Sequence, residues 1–285
     1  MGTRIGVRAL AAWRSWTGES DLVEDLNDRI GRLEFERSEL LARVRAMPSI
    51  DPLCVTASSI PLPLKKRDDF GIAIFGHTNA ESMAVVLEGL QRQDALPWAE
   101  AWLDGHQGDE DLRRRTDEVH ALLKRYPIRK IHRQAGRVGR DKLVIQGLVE
   151  MCNSYKDMLI LEEDCFPSDN AVAEFRQALD RFRNDKAVFS VYGQPCGRFR
   201  RCGWATTGRR LMPVLRQLID CYSMSEENYL KFTRLALTPD IKARIDVTSL
   251  DHPSATIERF FAWEEALCLL VALNNQGHRP TRTGT

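Results

Sequence analysis

The sequence predicts an α/β domain over residues 70–285, built on a mostly parallel sheet covered by helices on both faces. Three observations carry this. Short apolar runs alternate with amphipathic stretches of helical period, the pattern of repeated strand–helix–strand units. The apolar runs stop at polar or acidic tips, which is where such sheets bind ligands. Finally, 285 residues with 43% hydrophobic and 28% charged content provide a core for one domain of about 200 residues plus an appendage.

The elements follow in order. Residues 71–75, Gly-Ile-Ala-Ile-Phe, read as a buried strand, and residues 80–92 as an amphipathic helix. A second strand, 99–103, ends at Asp104-Gly105. Residues 112–125 form a helix, 129–132 a short strand and 142–155 another helix. The strand at 157–161 runs into three acids; after one more helix, residues 187–192 give a further strand. Residues 213–256 fit no part of this pattern and read as an insertion.

Ahead of the sheet, residues 21–47 carry heptad spacing over about four heptads. Val23, Ile30 and Val44 occupy a positions, with Arg37 the polar exception, and Leu26, Leu33, Leu40 and Met47 occupy d. β-Branched residues at a with leucine at d favour a parallel two-stranded coil, in which Arg29 would face Glu34 of a second copy. The same stripe also suits a helix packed on the α/β domain that follows it. Pro48 closes it, and residues 48–69, with Pro52, Pro61 and Pro63 before Lys65-Lys66-Arg67-Asp68-Asp69, read as a linker.

Charge and cysteine usage narrow the setting. A net charge of +1 argues against a dedicated nucleic-acid binder, which would need a clearly basic domain. Seven scattered cysteines, with no C-x-x-C pair, suggest reduced thiols in the cytoplasm. The sequence offers no apolar run near the roughly 20 residues of a membrane span. Residues 1–18 carry Arg4, Arg8, Arg14, Trp13 and Trp16 with no acid; they suit peripheral contact with an anionic membrane face or an ordinary frayed terminus.

The most informative segment is Leu159-Ile160-Leu161-Glu162-Glu163-Asp164-Cys165-Phe166-Pro167. Three adjacent carboxylates at a strand tip repel one another unless a cation or hydrogen bonds offset the repulsion. Mg2+ or Mn2+, held by carboxylate oxygens on one side and a diphosphate on the other, would do so; an acidic strand end is also an ordinary surface turn. Between helix and acidic strand lies Arg133-Gln134-Ala135-Gly136-Arg137-Val138-Gly139-Arg140, a glycine-spaced basic loop suited to close approach of a diphosphate. A solvated basic turn is the alternative. The loop lacks both the P-loop ending and the dinucleotide fingerprint, which excludes kinase and dehydrogenase readings.

At these residues the chain resembles GT-A glycosyltransferases, in particular those similar to the N-acetylglucosaminyltransferases that start complex N-glycans and to bacterial family 2 sugar transferases. The resemblance implies that Asp164 binds the metal and that Glu162 and Glu163 approach the sugar and ribose. Glu163 departs from the more usual aspartate, and its longer arm alters how the ribose or metal is held. His77 and Asn79 in Gly76-His77-Thr78-Asn79, together with Asp104, match positions placed against the nucleotide, although Asn and Asp in such places also cap helices. Arg133 and Arg137 are assigned to the donor. Gly203-Trp204-Ala205-Thr206 resembles an acceptor-side segment, with Trp204 as a stacking face or, alternatively, a core residue. Trp263-Glu264-Glu265 resembles the segment that carries the catalytic base of inverting enzymes, with Glu265 matching the base and Glu264 one residue away. An acidic first helical turn is the alternative there. His278 is a candidate for a further metal ligand near the end of the domain.

The expectation is therefore a metal-dependent, inverting glycosyltransferase with a nucleotide-diphosphate sugar donor and a glycan or other hydroxyl acceptor. Two other classes remain open: a catalytically impaired scaffold dimerised by its coiled coil, and a nucleotidyltransferase.

Overall fold

The computed structural model describes residues 68–106, 108–193, 203–248 and 261–281. The basic opening, the coiled-coil segment and the linker up to residue 67 lie outside the described residues. The described chain forms β1 (Asp68–Gly76), α1 (Ala80–Gln91), a 3-10 turn (Leu96–Trp98), β2 (Ala99–Leu103), α2 (Glu110–Leu123) and β3 (Lys130–Arg133). It continues through α3 (Arg140–Ser154), β4 (Tyr155–Glu162), α4 (Ala171–Arg181), β5 (Val188–Tyr192) and β6 (Trp204–Thr207). The last elements are α5 (Gly208–Ser223), α6 (Glu226–Ala236), α7 (Pro239–Thr248), α8 (Trp263–Leu273) and β7 (Gly277–Pro280).

Among the described residues, seven strands form one sheet in the order β3-β2-β1-β4-β6-β5-β7. β1 pairs in parallel with both β2 and β4, while β6 runs antiparallel to β4 and β5. This is the α/β class that the alternation predicts. From β1 the chain builds outward through β2 and β3, then returns to place β4 on β1's other side. The reversal makes a crevice between the carboxyl ends of β1 and β4, the position at which open parallel sheets receive ligands.

The pleat divides the apolar side chains between two layers. Ile72, Ile74, Leu103, Leu159 and Leu161 join Met83, Val86 and Leu87 of α1, Val119 and Leu122 of α2, and Phe175 and Leu179 of α4 in one core. Helices α3 and α5 pack on the other face against β1 and β4. There Gly147 lies so close to the sheet that an added Cβ would stand 2.5 Å from Cε1 of Phe75. Phe75 stacks on Trp102 at 5.4 Å, and Trp102 on His132 at 4.5 Å. Such burial on both faces explains why β1 and β4 read as unbroken apolar runs rather than alternating ones.

Several elements differ from their expected limits. Asp68 and Asp69, placed in the linker, begin β1 as exposed residues held by Arg129 and Lys156, each pair at 2.6 Å. The supposed insertion after residue 213 is largely helical: α5 runs through Pro213, and α6 and α7 follow. Among the described residues no helix is long and apolar enough to cross a membrane.

Candidate functional site

The β1/β4 crevice opens into a cleft of about 380 Å3, lined by Gly76, His77, Asn79, Asp104, Arg137, Arg140, Glu162, Glu163 and Asp164 among others. Four separate stretches meet there: the β1–α1 turn, the end of β2, the loop entering α3, and the tip of β4. All the predicted donor-side positions except Arg133 are brought together, along with Asp164. Arg133 instead pairs with Asp117 on α2 and lies 3.1 Å from Nδ1 of His120, outside the cleft lining. Arg140, a member of the basic loop given no role of its own in the sequence, occupies the cleft.

The three acids are not equivalent. Glu162, nearly buried, receives the guanidinium of Arg140. Glu163 accepts the backbone N–H groups of His77 at 2.7 Å and Asn79 at 3.3 Å through one oxygen, Oε2. Its longer arm thus secures the turn that leads into α1. Asp164 stands exposed at the rim. Repulsion within the triplet is therefore offset largely by the protein itself, through one guanidinium and two amides, the hydrogen-bonded alternative that the sequence left open beside a bound cation. Among the described residues no group of three or more His, Cys, Asp or Glu side chains is arranged to hold a metal. A single carboxylate at the mouth of a cleft lined by arginines still fits Mg2+ or Mn2+, since such ions commonly keep one or two carboxylates and take their other ligands from phosphate and water.

Asp104 and Asn79 both have local partners. Oδ1 of Asp104 accepts the N–H groups of Gly105 and Val138, each at 2.8 Å, and Oδ2 accepts that of Gly139 at 3.0 Å. This carboxylate clasps the basic loop where it enters α3, and its charge suits the positive end of that helix. Gly139 has φ +87°, the left-handed region that favours glycine. Asn79 caps α1, its side chain accepting the N–H of Ser82 at 3.0 Å. Both residues thus satisfy backbone donors at the start of a helix, the alternative role given to them above, while lining the cleft.

The loop is held from below as well. A Cβ on Gly105 would approach the backbone of Gly136 to 2.4 Å. Should the cleft take the nucleotide that the resemblance implies, Gly105→Ala, by displacing the 133–139 loop, should weaken its binding about tenfold or more, while global stability falls by about 1–3 kcal/mol, as is usual for overpacking. Calorimetric titration paired with urea unfolding would separate the two effects. Unchanged affinity would dissociate the loop from the binding site.

Arg140 also contacts Glu264 of α8 at 2.8 Å. Burial opposes the charge on Arg140, and the attraction of Glu162 and Glu264 outweighs it, so the guanidinium is held above its ordinary pKa. Next to it, Asp141 accepts the N–H of Trp263 at 3.1 Å. Burial, then the proximity of Glu264 and Glu265, pushes the Asp141 carboxyl above the usual range against the pull of that N–H. Glu264 is 4% exposed and Glu265 is half-buried one residue further along. Neither lines the cleft directly; Glu264 is connected to it through Arg140.

Two further expectations meet a different arrangement. Trp204 is 1% exposed, in β6 opposite Ile160, and its ring packs on Phe189 at 6.3 Å. That is the core position rather than an open stacking face. His278 lies buried in β7, 2.7 Å from Ser190 Oγ, and burial pushes its pKa down to about 3. The pairings His278–Ser190, Ser190–Thr206 and Thr206–Met158 place it level with Met158, four residues before Glu162. At about 3.3 Å per residue and 4.8 Å per strand, it is more than about 10 Å from the acidic tip along each direction. A metal ion held about 2 Å from the Asp164 carboxylate therefore cannot also take the His278 imidazole as a ligand.

No protein-family model matches the chain, and no curated protein matches it. Among solved structures it is similar to a 4-diphosphocytidyl-2C-methyl-D-erythritol synthase from Anaerococcus prevotii, with 11% identity and a TM-score of 0.38 over 53% of this chain and 76% of that one. It is also similar to a mannosyltransferase from Pyrobaculum calidifontis, solved in complex with GDP-Man and Mn2+. There the identity is 16% and the TM-score 0.35, over 62% of this chain and 54% of the mannosyltransferase, so the match spans about half of that protein's length.

Proposed function

We propose that this chain is a metal-assisted transferase of the GT-A glycosyltransferase type, moving a sugar from a nucleotide-diphosphate donor to a glycan or other hydroxyl acceptor with inversion. The observation that carries the reading is the convergence of His77, Asn79, Asp104, Arg137, Glu162, Glu163 and Asp164 on one cleft at the β1/β4 crevice. Arg137 and Arg140 offer cationic partners for the diphosphate, and guanidinium groups suit phosphate oxygens. Asp164 is the residue that would hold Mn2+ or Mg2+, whose charge would be offset against that of the leaving diphosphate. Glu265, on the first turn of α8, is the carboxylate proposed to take the proton from the acceptor hydroxyl.

A thermal-shift panel of UDP-, GDP-, CDP- and dTDP-sugars, with and without Mn2+, tests the reading, because a ligand of the folded state alone raises apparent stability. One donor class should raise Tm in a metal-dependent way. Stabilisation by nucleoside triphosphates alone, with pyrophosphate released, would replace this proposal with nucleotidyl transfer.

A further inference from the structure

The first turns of α3 and α8 hold each other at two points that run in opposite senses. Arg140 donates from α3 to the Glu264 carboxylate of α8 at 2.8 Å, and Trp263 donates its N–H from α8 to the Asp141 carboxylate of α3 at 3.1 Å. Consecutive residues on one helix thus grip consecutive residues on the other across more than a hundred positions of sequence. Ala262, which precedes α8, provides no side-chain cap, so Asp141 serves as the external acceptor at this helix start. The side chains of Glu264 and Glu162 are 5% and 11% exposed, whereas that of Arg140 is 50% exposed. The guanidinium therefore spans from solvent in the cleft to two nearly buried carboxylates on separate elements.

We propose that Arg140 and Asp141 are positioning residues that tie occupancy of the cleft to the placement of the first turn of α8, and with it Glu265. The inference rests on the cleft being a nucleotide-diphosphate site. A diphosphate arriving beside Arg137 and Arg140 competes for the same guanidinium donors that hold the first turn of α8 through Glu264. The bound diphosphate and the Glu264 carboxylate thus draw on one side chain, and what the cleft contains is felt at α8.

Hydrogen exchange followed by mass spectrometry, with UDP or GDP and Mn2+ as probes, tests this on the full chain. In the wild type, nucleotide should protect the 76–82 and 162–164 segments and change exchange at residues 263–267 by about tenfold, the scale of a local opening equilibrium. Arg140→Lys keeps the charge but cannot bridge two carboxylates in the same planar geometry; it should bind nucleotide more weakly and, at nucleotide concentrations raised until 76–82 is protected as in the wild type, lose the change at 263–267. Nucleotide binding that leaves 263–267 unaltered in the wild type, or alters it equally in Arg140→Lys, overturns the proposal. If neither nucleotide protects 76–82, the donor-site reading itself fails, and the coupling proposal falls with it. The clasp has a separate readout without nucleotide: Asp141→Asn and Glu264→Gln should each speed exchange at 263–267, with a combined effect smaller than the product of the two. Independent, multiplicative effects would show that the two contacts do not act together as one clasp, and would overturn that part of the proposal.

Discussion

Glu265→Gln should lower sugar transfer by at least about a hundredfold while leaving donor affinity nearly unchanged, within the roughly 10²–10⁴-fold that a positioned general base contributes. Glutamine keeps the size and hydrogen-bonding reach of the side chain and loses the ability to take the acceptor proton as a carboxylate. The interaction strengthens mainly in the transition state, so the loss falls on kcat rather than on donor binding. Glu264→Gln should cost less in proton transfer, because its carboxylate is engaged by Arg140 and adjacent residues on a helix point about 100° apart. Turnover of donor by the two variants decides the matter. Collapse in Glu264→Gln with near-normal activity in Glu265→Gln would move the base by one residue, and normal activity in both would remove this segment from the chemistry.

The second large effect is expected at Asp164. Asp164→Ala should weaken metal-dependent nucleotide binding by more than the roughly 10–100-fold that loss of an outer-shell partner costs a metal site. Stability should change by no more than about 0.5 kcal/mol, since the side chain is exposed at the strand tip rather than packed. Titrating UDP and GDP into the variant with and without Mn2+, alongside thermal unfolding, measures both. Unchanged Mn2+-dependent affinity would exclude Asp164 as the ligand. Alanine at Glu162 or Glu163 should behave differently: the first strips Arg140 of a partner and the second frees the His77–Asn79 turn, so both should also lower stability.

Much of the sheet is legible in the sequence because its information is local. Residues 71–75, 99–103 and 157–161 are apolar runs of strand length, and each strand found there includes them apart from small shifts at the ends. β6 and β7 are less accessible: each has only four residues, and neither alternates in a way that separates it from a loop. Pro213 hides α5, since proline inside a helix removes a hydrogen bond and is ordinarily taken as a boundary.

By itself the sequence determined the α/β class, the central strands and the acidic tip of β4, because hydrophobic periodicity and strand-end chemistry are properties of neighbouring residues. Only the tertiary structure decided what the polar side chains face. Arg133 and Arg140 belong to one basic stretch, yet the first turns to Asp117 on α2 and the second to Glu162 and Glu264. Trp204 lies in the core because the β6 register sets it opposite Ile160. Asp104 is committed to the amides of residues 138 and 139, and Asp141 to that of Trp263. In each case the partner is distant in the chain and is fixed by strand register and helix packing, so no local pattern of residues could specify it.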